Sequence, residues 1–99
     1  MNDSDFELYK EEILELTELL NQEWIDLRNL IVSKGIVIDK TLLVNYYEDE
    51  EGGEYGVLVV DKKDAYKFEA ADKKISLIKF DDLEIAKKEC PQVEVAVAL

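Results

Sequence analysis

The chain has 99 residues and a mass of 11.4 kDa, with 24 acidic and 12 basic side chains, no histidine and a formal net charge of -12. Apolar residues make up 47%, which separates it from disordered acidic tails, and the length allows one domain over residues 1–99 with one core. Charge of this sign excludes the nucleic-acid backbone and anionic membrane surfaces as partners, and no apolar run approaches the ~20 residues of a membrane span.

Residues 6–30 carry apolar groups at helical spacing: Phe6, Tyr9, Ile13, Leu16, Leu20, Leu27 and Leu30, with Glu23 in the one polar slot. Trp24 and Ile31 widen the stripe. Ser4 is the expected N-cap, and Gly35 is the expected left-handed residue after the last turn, with Ile36 packing back on it. The pattern predicts one long or kinked helix over residues 4–34, which unbroken would run ~45 Å. A break would fall near Leu20-Asn21-Gln22.

After Gly35 the apolar period changes to two. Residues 36–39 read as a short strand or a lead-in, and residues 41–48 and 55–60 as strands. Gly52-Gly53 between them marks a hairpin turn. Residues 61–64 turn again, Tyr66, Phe68 and Ala70 define a half-buried strand, and residues 71–74 turn into a strand over 75–80. The apolar phase slips between Leu77 and Ile78, which predicts a bulge or burial on both faces. Asp81 or Asp82 caps a short helix over residues 83–89, and Pro91 stops it. Val93, Val95, Val97 and Leu99 alternate with Glu94, Ala96 and Ala98, a strand pattern. The predicted class is α+β: the N-terminal helix packed on a mainly antiparallel sheet of four to five strands, with a short helix before the last strand.

Net charge is unevenly distributed. Residues 1–34 hold nine acids and three bases, residues 35–60 six and one, and residues 61–99 nine and eight. Glu7, Glu11, Glu15 and Glu18 form one stripe on the first helix, either a solvated face or a docking surface for a basic partner. Glu48, Asp49, Glu50, Glu51 and Glu54 surround the Gly-Gly tip, flanked by Tyr46, Tyr47 and Tyr55. The acids suit a solvated tip that discourages edge pairing, or a partner contact with aromatic anchors. The tyrosines equally suit ordinary cross-strand pairs. Calcium could use such carboxylates, but the EF-hand ligand alternation is missing.

Most catalytic chemistry lacks its residues. Without histidine there is no Ser-His or Cys-His nucleophile and no imidazole metal site, and one cysteine, Cys90, builds neither a disulfide nor a thiolate zinc site. Cys90 falls near the C-terminal end of the second helix, where the dipole raises a thiol pKa, so it reads as a packing residue. Cys90-Pro91 is too short a match for a haem site. No glycine-rich phosphate loop is present, and Asp81-Asp82, a conceivable magnesium pair, already serves as a cap. A paired-carboxylate enzyme would need a cleft that a chain of this size has little room for. The expectation is therefore no enzyme, no cofactor and no metal.

The first residues lack the basic and apolar regions of a secretory signal, and the single cysteine fits a reducing compartment, so a cytoplasmic location is expected. The leading functional reading is a small protein-binding module that docks on a basic protein surface through the hairpin tip and the helix stripe. In composition and size, though in no motif, the chain resembles acidic immunity proteins, which inhibit toxins. The alternatives are a structural protein whose N-terminal helix seam pairs into a homodimer, and a nucleic-acid mimic. The near-neutral last third weakens the mimic.

Overall fold

The computed structural model describes all 99 residues. Two helices, α1 (Asp3–Gln22) and α2 (Ile25–Ser33), lead through a 3-10 turn at Ile38–Lys40 into four strands. These are β1 (Thr41–Glu48), β2 (Glu54–Val60), β3 (Asp64–Ala71) and β4 (Lys74–Lys79). They form one antiparallel meander in the order β1-β2-β3-β4, and α3 (Leu83–Glu89) and α4 (Gln92–Ala98) follow. The α+β class with an N-terminal helix on an antiparallel sheet is as expected.

The turns are local chemistry. Residues 61–63 join β2 to β3, with Asp61 and Lys62 at positive φ, and Asp72 and Lys73, also at positive φ, make the two-residue hairpin turn from β3 to β4. Gly35 has φ +85° and ends α2 as a left-handed residue, with Ile36 packed against the core. Gly56 sits opposite Phe68 across β2 and β3, and the ring lies over it. A Cβ there would come within 2.6 Å of the ring and would collide with the Asn45 carbonyl oxygen.

The register divides the side chains between two faces. Leu43, Leu58, Phe68, Ala70 and Ile75 lie on one face, packed with Leu20, Leu27 and Ile31 of α1 and α2. Val57, Val59 and Ala65 lie on the other, packed with Ile13 of α1 and with Ala86, Val93, Val95 and Ala96 of α3 and α4. Helix α1 therefore crosses the β1 edge. Its first half closes one core and its last turns close the other. Thr17 Oγ1 accepts a hydrogen bond from Leu43 N at 2.9 Å, so the helix also occupies an outward-facing group of that edge.

Four expectations are corrected. First, the N-terminal helix takes the kinked alternative, as two helices, with its break displaced from the expected place. An unbroken helix would exceed the molecule's 39 Å longest extent and would carry Leu27 and Ile31 past the sheet. The break falls at Glu23–Trp24 rather than at residues 20–22. The N–H groups of both residues donate to Leu19 O, and Trp24 leaves the helical region at ψ 57°. Its ring stacks on Tyr46 with centroids 4.3 Å apart. Second, Asn2, not Ser4, caps α1, accepting from Asp5 N at 2.9 Å. Third, the β3–β4 register runs without a bulge, and the irregularity lies in β1 between Leu43 and Asn45. Leu77 faces the core, and Ile78 is 63% exposed on the other face.

Fourth, residues 92–98 are helix α4, not the last strand. Val93 and Ala96 share a helical face at i, i+3, and both are fully buried beside Val95. Alanine suits a helix better than a strand, and the helix packs these residues in the core of the second sheet face. Of the alternatives for residues 36–39, the lead-in holds: it ends in the 3-10 turn. Asp82, one of the two candidate caps of α3, accepts from Ile85 N at 2.9 Å.

Candidate protein-docking surface

Strands β1 and β2 end in the acidic tip, and the tip is internally bonded. Asp49 Oδ1 accepts from Glu51 N at 2.9 Å and from Gly53 N at 2.7 Å. Its Oδ2 accepts from the Tyr55 hydroxyl at 2.8 Å. This is the Asx-type turn that aspartate favours, closed by a tyrosine from the partner strand. The Tyr55 hydroxyl, followed by Gly53 N, holds the Asp49 carboxyl below the usual range, while Asp49 raises the Tyr55 phenol.

On the opposite face, Tyr46 lies between Glu48 and Glu54, which the register places directly opposite each other. Its hydroxyl donates to Glu54 Oε2 at 2.7 Å and makes a longer contact of 3.5 Å to Glu48. Burial, and then Glu54, push the Tyr46 phenol well above its ordinary value. Three of the expected contact residues, Asp49, Glu54 and Tyr55, thus have structural partners and are only half-exposed. Glu48, Glu50, Glu51 and Tyr47 are exposed. Tyr47 is 62% exposed and packs its ring tilted against Tyr55, 5.8 Å between centroids, the cross-strand pairing read from the sequence.

Glu7, Glu11, Glu15 and Glu18 are all exposed on the α1 face opposite the buried Ile13 and Leu20. Of the stripe, Glu15 lines with Glu12 a groove of about 380 Å³ beside Asn45, Tyr46 and Gln92.

No carboxylate of residues 1–60 pairs with a lysine or arginine. All four ion pairs lie in residues 61–89: Lys63–Asp61, Lys67–Glu89, Lys79–Asp64 and Lys87–Glu84. The acidic excess of the first sixty residues is therefore left without direct ion pairs.

Sequence reasoning missed the open half of the second sheet face, beyond the cover of α3 and α4. There Tyr55, Val57, Lys67, Glu69, Ser76 and Ile78 border a shallow concavity of about 250 Å³. The slip of phase at Ile78 was its one trace in the sequence.

Cys90 is 4% exposed at the end of α3, and its thiol donates to Gln92 Oε1 at 3.3 Å. Burial raises its pKa, as a packing residue requires. No group of three or more cysteine and carboxylate side chains is placed to hold a metal ion, and no helix is long and apolar enough to cross a membrane. No protein-family model, no curated protein and no solved structure matches this chain.

Proposed function

We infer that the protein is a small acidic binding module that docks on a basic protein surface, in the manner of an inhibitor or immunity protein, without catalysis. The carrying observation is the absence of any basic partner for the carboxylates of residues 1–60, set against the four ion pairs of residues 61–89. Unpaired, exposed carboxylates on a folded surface accelerate encounter with a cationic partner and cost nothing to release from internal pairs. The contact set is narrowed to Glu7, Glu11, Glu15 and Glu18 on α1 and to Tyr47, Glu48, Glu50 and Glu51 at the tip. Asp49, Glu54 and Tyr55 shape the tip instead.

The test is capture from cytosolic lysate on the immobilised protein, followed by identification of the bound chains. Basic proteins should be retained at low salt and lost at about 1 M salt, where charges are screened beyond ~3 Å. Replacing the four α1 glutamates by glutamine, or Glu50 and Glu51 together, should each weaken capture. Retention that is indifferent to salt and to both variants would remove electrostatic docking as the function.

A further inference from the structure

The two edges of the sheet are finished differently. Helix α1 covers β1, whereas β4 is last in the strand order, and no backbone hydrogen bond outside the ladders ends on residues 74–79. Phe80 N donates to Ala65 O at 2.9 Å. By antiparallel alternation, residues 74, 76 and 78 then turn their N–H and C=O groups toward β3, and Ile75, Leu77 and Lys79 turn theirs outward. Beside this open row stands Ile78, 63% exposed, the most exposed of the large apolar side chains. An unpaired edge next to an exposed isoleucine is a template for another strand.

We propose that β4 is the seam of a two-fold homodimer, in which two copies of β4 pair antiparallel about Leu77 to make one continuous eight-stranded sheet. The order of charges selects a second copy as the occupant. The strand is preceded by Lys73-Lys74 and followed by Asp81-Asp82, so it is complementary to itself when reversed. With Leu77 opposite its own copy, Lys74 faces Phe80 and Ile75 faces Lys79, and the turn residue Lys73 comes beside Asp81 just past the end of the other strand. Alternation requires outward-turned residues to face one another, and this register obeys it. Sliding by two residues to centre the pair on Ser76 would bring the turn residue Lys73 beside Lys79, a like-charge neighbour. In the Leu77 register Ser76 faces Ile78, and the two Ile78 side chains become diagonal neighbours that cover each other.

The wider charge layout agrees. Residues 61–99 hold nine acids and eight bases, and the acid-rich α1 lies at the opposite edge. Two molecules of charge -12 would thus meet at their least repelling ends.

The test is sedimentation equilibrium of the full chain across a concentration series at about 0.15 M salt, where net repulsion is screened beyond ~8 Å. A reversible monomer–dimer equilibrium is expected. Ile78→Lys should weaken it by about tenfold or more, and Lys73→Asp and Asp81→Lys should each weaken it similarly, by placing like charges across the seam. All three positions are exposed, and far-UV circular dichroism checks that the fold is kept. Mixing the Lys73→Asp and Asp81→Lys chains should restore dimerisation, because both ends of the mixed seam then pair opposite charges. A chain that stays monomeric to about 1 mM overturns the proposal. So does a dimer unmoved by Ile78→Lys, or a charge defect that mixing does not repair.

Discussion

Asp49 organises the tip through three hydrogen bonds, and this gives it a place in the acid stability of the protein. Its folded pKa is depressed below the ordinary 3.8. A carboxyl of that kind contributes stability that is fully present above its unfolded pKa and is lost as pH falls through the folded value. Urea midpoints measured at successive pH values below 3.8 should therefore fall more steeply for the native sequence than for Asp49→Asn. Parallel slopes would remove Asp49 from the acid limb. Gly56 is a second single-residue constraint, since any side chain must displace the Phe68 ring or the Asn45 carbonyl. Gly56→Ala should cost at least about 1–3 kcal/mol of stability by denaturant unfolding, the usual cost of overpacking. A neutral outcome would mean that β1 and β3 yield more easily than their burial implies.

Between elements, one side-chain hydrogen bond supplements the apolar contact of α1 with β1, and one ring pair accompanies the turn from α1 to α2. Thr17→Val keeps the shape but removes the acceptor of Leu43 N, and should cost about 1–3 kcal/mol, with Thr17→Ser recovering much of it. A double-mutant cycle on Trp24 and Tyr46 should give a coupling of about 0.5–1.5 kcal/mol from their stacking. Zero coupling would show that the ring pair merely accompanies the break. These contacts also explain which elements were legible in the sequence. The meander was, because alternation and turn residues such as Asp72-Lys73 act over a few positions. The helix break was legible only to within a few residues: its exact place involves no glycine or proline, and Trp24 there stacks on Tyr46, twenty-two residues further along. Helix α4 was not, because Val93, Val95 and Val97 satisfy the strand period while Val93 and Ala96 satisfy the helical one. As a helix the segment buries Val93, Val95 and Ala96 together in the core of the second sheet face. At the candidate site, exposure of the α1 glutamates followed from helical spacing alone. The internal bonds of Asp49 and Glu54 follow from hairpin register, which composition does not encode.

At the scale of the molecule, the unpaired carboxylates of residues 1–60 repel one another, and the four ion pairs are all surface pairs of small individual worth. Screening should relieve more repulsion than attraction, so the thermal midpoint by circular dichroism should rise as salt increases from about 0.01 to 0.5 M. A falling midpoint would mean that the ion pairs outweigh the repulsion. The passage of α1 around the β1 edge has a different kind of consequence. The sheet separates two apolar clusters, yet Ile13 belongs to one and Leu20 to the other, on the same helix. Neither cluster can loosen while the other keeps that helix docked. Amide hydrogens in the middle of α1 should therefore exchange with solvent only when the whole chain opens, making this exposed, acidic helix the slowest-exchanging helix of the protein.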